Sequence, residues 1–390
     1  MMMPGLGETT AMLARLRRAV PETSAAPQGP GGLTETRSFG ANPGALKMWT
    51  YAPPNLPKGA PLVVVLHGCT QTAHGYANHA GWIALAERLG FAVLAPEQSN
   101  ANNPNRCFNW FAPEDIVRGR GEAASIAAMV AKAVDLFEAD PQSVFISGLS
   151  AGGAMTAVML ATYPELFAGG AIIAGLPYGV ARSVSDALRA MGRGAGRPAP
   201  ALAGLVLDAA PRPAAPLRLV IWHGDADATV HPANGRDLSL QWAAALNLKA
   251  LPDAAPPGPG RTLSVWRGEG PAPSVLEMHM VEGLAHGTPL STRRDCDVGT
   301  VAPFMIEMGL CSTLETAAFW GLSESAAFRA TPVRNKGEPS LTQPTAAFEA
   351  QTRSKPVGIG DQVMGAVSGH VSPQVQDIIA KALRAAGLLS

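Results

Sequence analysis

The sequence predicts an α/β fold with a mostly parallel central sheet, helices on both faces and a small insertion that could cap it. Short apolar, β-branched runs alternate repeatedly with stretches of helical periodicity, and such alternation builds parallel sheets. The runs are continuously apolar, as in strands buried on both faces. Composition agrees: of 390 residues 47% are hydrophobic and 15% charged, against a usual charged share of about 25%, which excludes a disordered or solvating polypeptide.

The elements follow in order. Met12, Leu13, Leu16 and Val20, with Arg15, Arg17 and Arg18, have the spacing of a short amphipathic helix, and residues 21–44 are rich in Pro, Gly, Ser and Thr, as in a linker. Leu62–Leu66 is a continuous apolar run closed by His67-Gly68 and reads as a strand. Trp82, Leu85, Ala86 and Leu89 share a helix face that Gly90 ends, and residues 91–95 form a strand ended by Pro96. After a long excursion over 100–121, Ile126, Met129, Val130, Ala133, Val134 and Phe137 mark a helix over 122–138. Residues 144–146 form a strand and Ala151–Thr162 a helix; 171–174 and 217–222 are strands separated by an insertion over 181–216. Val275–Val281 is a late strand after a Pro-rich loop, 321–360 is loop-like, and Ser372-Pro373 opens a terminal helix. Three regions result: an N-terminal helix and linker over 1–38, a core domain over 39–320, and a C-terminal extension over 321–390.

Thirty basic residues balance thirty acidic ones without long blocks of either sign, so no strong positive field is available to attract nucleic acid. No apolar run reaches the roughly 18 residues of a membrane span. The order of a secretory signal is not seen, which tilts the expectation toward the cytoplasm. Four cysteines, none in a CxxC pair, allow three full pairings, so their redox state stays open.

Gly148-Leu149-Ser150-Ala151-Gly152 has the G-x-S-x-G pattern, with a strand running in and a helix running out. Small residues there let the chain turn sharply and leave the serine exposed as a nucleophile. A serine hydroxyl needs an imidazole to take its proton and a carboxylate to orient that imidazole. The strand over 217–222 leads into His223-Gly224-Asp225-Ala226-Asp227; Asp227 is the preferred acid, beyond the strand end, with Asp225 as the alternative that instead holds the turn. His286, in the loop after Val275–Val281, is the preferred base; His279 lies inside the strand pattern, and His74, His79 and His370 lack comparable settings. The backbone N–H groups of Cys69, after the first long strand, and Ala151, after the nucleophile, are the expected oxyanion donors. This chemistry requires no cofactor and no metal. A rival reading takes His223, Asp225, Asp227 and His231 as ligands of zinc or manganese, and a third is a binding protein on a related fold.

Leu66-His67-Gly68-Cys69-Thr70-Gln71-Thr72, the string from Asn102 to Phe111, Gly148 to Met155, and Ile173-Ala174-Gly175-Leu176-Pro177-Tyr178 together resemble the polyhydroxybutyrate depolymerase family of esterases over about residues 39–310. The resemblance implies an α/β-hydrolase catalytic domain acting on ester bonds of poly- or oligo(3-hydroxybutyrate), short acyl esters or feruloylated and acetylated plant sugars. It carries the triad to Ser150, Asp227 and His286. Family members are often extracellular and often have cysteine where this chain has Val180, so no disulfide pairing transfers. Trp110, in a long loop, is a candidate substrate contact, with ordinary packing as the alternative. Trp222 and Trp320 read as structural.

Overall fold

The computed structural model describes residues 32–322, apart from 211–215, 250, 255–259, 271–272, 294–295 and 297. The expected terminal helices, the loop over 323–360 and His370 lie outside the described residues. Ten strands form one sheet: β1 (Thr34–Glu35), β2 (Lys47–Tyr51), β3 (Leu62–Leu66), β4 (Ala92–Glu97), β5 (Val144–Leu149), β6 (Gly169–Ile173), β7 (Arg218–Gly224), β8 (Asp253–Ala254), β9 (Arg261–Arg267) and β10 (Val275–Val281). Their spatial order is β1-β2-β4-β3-β5-β6-β7-β10-β9-β8. The six strands from β4 to β10 are mutually parallel, and both flanks are antiparallel.

β3 shows why its sequence forms a central strand. All five residues are buried; Leu62, Val64 and Leu66 enter the core on one face, Val63 and Val65 the core on the other. Full burial of each such side chain contributes about 1.5–3 kcal/mol. The face under Leu62 is covered by α3 (Gly121–Phe137), α4 (Ala151–Thr162) and α7 (Ala233–Ala245); the other carries α1 (Ala73–His79), α2 (Trp82–Leu89) and α8 (Ser312–Trp320). Thr72 caps α1 by accepting from the Gly75 N–H, and α2 ends at Gly90 in the left-handed conformation. All twelve residues of α4 are buried, which explains a helix with no polar face. Trp320 on α8 stacks between Trp82 and Phe145, and Trp222 is buried against His279.

Three expectations change. The linker over 21–44 carries a strand, β1, which pairs antiparallel with β2, and Leu33 before it is buried, so the folded core begins ahead of residue 39. β4 continues through Pro96, because β3 pairs with it only as far as Leu94 and β2 alone runs beside it beyond, an edge setting that tolerates proline. The insertion over 181–216 lays α5 (Val184–Arg193) and α6 (Ala199–Leu207) chiefly against α7 and α4, so helices separate it from the strands it was expected to cap. A separate parallel pair, β11 (Thr288–Leu290) and β12 (Met305–Glu307), follows the main sheet. Among the described residues no helix is long and apolar enough to cross a membrane.

Candidate active site

Ser150 stands alone between the last residue of β5 and the first of α4. Its φ of 58° and ψ of −116° lie where non-glycine residues rarely go, a strain of about 1–3 kcal/mol. Its N–H donates to the Ile173 carbonyl and its carbonyl accepts from Ala154, so the turn is held from both sides. The flanking glycines are steric requirements: a Cβ on Gly148 would run into the Gly152 carbonyl, and one on Gly152 into that of Leu66. α4 thus starts hard against the sheet, with the hydroxyl projecting at the carboxyl edge.

Strand order brings the other groups to that edge, since β6 and β7 lie between β5 and β10 and all four are parallel. Asp227 follows β7 and His286 follows β10. His286 Nε2 lies 2.8 Å from Ser150 Oγ and its Nδ1 lies 2.7 Å from Asp227 Oδ2. Asp227 is 2% exposed. Its Oδ1 accepts from the N–H groups of Thr229 and Val230 at 2.9 and 2.8 Å. Burial works to raise this carboxyl, but the hydrogen bond and charge of His286, with the Val230 amide, hold it below the usual carboxylate range. Such a row can orient an imidazole with Nδ1–H toward the carboxylate and Nε2 free to take a hydroxyl proton.

The alternatives separate geometrically. Asp225 accepts from the Gly283 N–H at 2.7 Å and so holds the turn between two loops. His223 is buried, its Nε2–H donating to the Val230 carbonyl at 2.8 Å, and burial lowers its pKa. His231 Nδ1 accepts from the Ala233 N–H. The four residues of the metal reading therefore serve four local tasks, and among the described residues no three His, Cys, Asp or Glu side chains gather as a metal would require. His279 is packed inside β10, as its place in the strand pattern suggests.

β3 and β5 are paired with Leu66 opposite Gly148, which puts Cys69 and Ala151 three residues beyond matched positions. The Ala151 N–H opens α4, where no intrahelical partner exists, and the Cys69 N–H has no partner among the described residues. Cys69 is disulfide-bonded to Cys107, and Cys296 to Cys311. The first bond is reinforced by Thr70 N–H donating to the Asn105 carbonyl at 2.6 Å and Arg106 donating to the Thr70 carbonyl at 3.2 Å. Beneath it, buried His67 contacts the Gly68 carbonyl through Nδ1 at 2.8 Å and accepts the Gln98 N–H on Nε2 at 3.1 Å. That pattern assigns the proton to Nδ1, and burial lowers the pKa to about 4, so His67 is neutral. The Gly68 carbonyl and the Cys69 N–H belong to one planar peptide, so holding the first aims the second.

Trp110 is 6% exposed and packs in the core against Phe111, which favours the packing role over the expected substrate contact. Its loop rests on a residue that sequence reasoning missed. Buried Glu122 accepts from Gln98 Nε2 at 2.5 Å and from the backbone and side chain of Asn109 at 2.9 and 2.8 Å. Burial, then the charge of Asp115, push its carboxyl up to about 8. The signal was there: Glu122 falls on the same helix face as Ile126, Met129 and Ala133, a carboxylate on a buried stripe. Phe304 was also missed; its ring sits 6.1 Å from that of His286.

A family model described as "Esterase PHB depolymerase" matches residues 46–258. Poly(3-hydroxyalkanoate) depolymerase C of Paucimonas lemoignei is 39% identical over 296 residues, covering 74% of this chain and 70% of its own length. A probable acetylxylan esterase A of Aspergillus fumigatus is 30% identical over 282 residues, 68% of this chain and 72% of its own. Among solved structures, the acetyl xylan esterase from Aspergillus awamori superposes with a TM-score of 0.62 at 25% identity, over 75% of this chain and all of that one. The fold is that of the α/β-hydrolases.

Proposed function

Since the chain belongs to the polyhydroxybutyrate depolymerase family of esterases and is a carboxylic-ester hydrolase, we propose that it works through Ser150, His286 and Asp227 by way of an acyl-enzyme. The observation that carries this reading is the continuous row from Ser150 Oγ through both ring nitrogens of His286 to Asp227 Oδ2. His286 Nε2 takes the Ser150 proton as Oγ attacks the ester carbonyl, and the carbonyl oxygen becomes an anion held by the N–H groups of Cys69 and Ala151. The same imidazole then gives the proton to the departing alcohol oxygen. In the second half it draws a proton from water, whose oxygen attacks the acyl carbon and releases the acid and Ser150. Asp227 keeps the ring in the Nδ1–H form and supports its transient positive charge.

The proposed substrates are poly- or oligo(3-hydroxybutyrate) and short-chain acyl esters, on a catalytic domain corresponding to the core around residues 39–320. Acetylated plant sugar is the second reading, favoured by the acetylxylan esterase relatives, with feruloylated sugar beside it as a related ester. The two disulfides support an oxidising compartment over the cytoplasm. The test is hydrolysis of short p-nitrophenyl esters by the parent and by Ser150→Ala, each with and without a chelator. Loss of all turnover in the variant and indifference to the chelator are expected; an active Ser150→Ala enzyme would defeat the mechanism. Mass spectrometry of products from hydroxybutyrate oligomers and acetylated xylans separates the substrate readings.

A further inference from the structure

We infer that the turn at residues 301–304 is the subsite for the alcohol half of the ester, walled by Phe304, and that it takes an apolar alcohol, such as a straight-chain alkanol, in preference to a polyhydroxylated sugar. The inference rests on the proposed roles of Ser150 and His286 and deepens them.

The first step is stereochemical. The proton that leaves Ser150 on His286 Nε2 must pass to the alcohol oxygen as the bond from acyl carbon to that oxygen breaks, so this oxygen lies within hydrogen-bond reach of Nε2. The carbon chain attached to it therefore extends over whatever borders the imidazole. On the Nδ1 side the ring meets buried Asp227. Beside it stands Phe304, whose ring meets the imidazole edge to face, at 78° and 6.1 Å between centroids.

The second step concerns how Phe304 is held. Its φ is 66°, in the left-handed region that aromatic residues seldom occupy. The chain keeps it there by local pairing: the Phe304 carbonyl accepts from the Thr288 N–H at 2.8 Å, and Met305 N–H donates to the Ala302 carbonyl at 2.9 Å. Thr288 opens β11, two residues beyond His286, and β11 pairs with β12 just after Phe304. Ring and imidazole are thus carried by one small structural unit. Strained conformations held by their surroundings concentrate at sites that handle ligands.

The third step is chemical. Val301 is 56% exposed, Pro303 is exposed and Phe304 half-buried, and no side chain from Val301 to Phe304 can form a conventional hydrogen bond. The one polar group recorded there in a side-chain contact, the Pro303 carbonyl, meets Gln71 Nε2 at 3.5 Å. Sugar hydroxyls pressed against these four side chains would lose water with only the Pro303 carbonyl and the Gln71 amide at the margin to replace it, whereas an alkyl group would lose none.

The experiment uses two ester panels on the full chain, with acid release followed by titration. In one the acyl group is acetyl and the alcohol runs from ethanol through butanol and hexanol to xylose; in the other the alcohol is ethanol and the acyl chain lengthens. The parent should favour hexyl over xylosyl acetate. Phe304→Ala should flatten the alcohol panel, cutting kcat/KM for hexyl relative to ethyl acetate by about tenfold, while ratios along the acyl panel stay as in the parent. Phe304→Leu should restore most of the alcohol preference, which a merely structural defect would not permit. An equal fall on both panels, a change confined to the acyl panel, or a parent that hydrolyses xylosyl acetate as well as hexyl acetate would each overturn the inference. Ser150→Ala should abolish both panels; activity there would remove the premise, and is told apart because it does not depend on the alcohol.

Discussion

Replacing Asp227 by Asn tests the site at the point where its hydrogen bonding is least forgiving. The two carboxylate oxygens have different tasks: Oδ1 accepts two backbone N–H groups and Oδ2 accepts the His286 Nδ1–H. An asparagine that keeps its oxygen on the amides must turn its NH2 toward His286, which drives the ring into the Nε2–H tautomer and removes the base. The opposite orientation preserves the base but faces an NH2 toward the Thr229 and Val230 amides. Leaving two such donors unsatisfied costs about 2–6 kcal/mol, so the competent orientation is depopulated by roughly one and a half to four orders of magnitude. Loss of the charge that supports the imidazolium adds to this, and the expected fall in kcat is on the order of 10³- to 10⁴-fold, similar to what the same exchange does in an unrelated serine protease. The assay is steady-state hydrolysis of p-nitrophenyl butyrate near neutral pH, with circular dichroism to confirm folding. A folded Asp227→Asn enzyme that retains more than a tenth of the parent kcat would refute the reasoning.

Asp225→Asn should change kcat by no more than about threefold, because its carboxylate accepts the Gly283 amide and touches neither the ring nor the hydroxyl; the same assay checks it. Cys107→Ser frees Cys69 from a loop of 38 residues, so urea unfolding should show a loss of about 4 kcal/mol, and kinetics should show kcat falling more than KM rises as the Cys69 amide loses its anchor. Removing the bond between Cys296 and Cys311, which closes 15 residues, should cost about 3 kcal/mol. For His67, the folded pKa of about 4 lies below the ordinary 6.5, so the unfolded chain binds the extra proton between those values. Its contribution is full above pH 6.5 and is lost as pH falls toward 4, about 3 kcal/mol in all. Urea midpoints of the parent should therefore drop over that window more steeply than those of His67→Gln, and parallel curves would contradict the assignment.

Where the chain is locally self-consistent, its structure was legible. β3 and β10 occupy the residues their apolar runs mark, and Ala151–Thr162 is a helix over the expected span. The G-x-S-x-G pattern reports a steric need at Gly148 and Gly152 that survives in any context. β2 was not legible, because Lys-Met-Trp-Thr-Tyr has no continuous run and becomes a strand through pairing with β4. Within the site, Asp225 and Asp227 share one turn, and only the meeting of two distant loops separates a carboxylate that holds Gly283 from one that holds His286. Which cysteines join was beyond reach, since four thiols permit three pairings. Phe304 gave no local sign, as its conformation depends on the pairing of β11 with β12. Trp110 stayed open in the sequence for a general reason: an aromatic in a long loop can as easily be the plug that anchors the loop as the surface it offers.

The ten-stranded sheet ends on both described borders in strands of only two residues, β1 and β8. Along β1 and β8 themselves a neighbouring molecule seeking to add a strand would find a row of amides and carbonyls only two residues long. Six parallel strands rich in valine and isoleucine would be a hazard if exposed at a margin; here they are sealed laterally by antiparallel flanks that dwindle to nothing. Adding a strand from a second copy to either described outer strand is therefore limited to two residues' worth of backbone pairing.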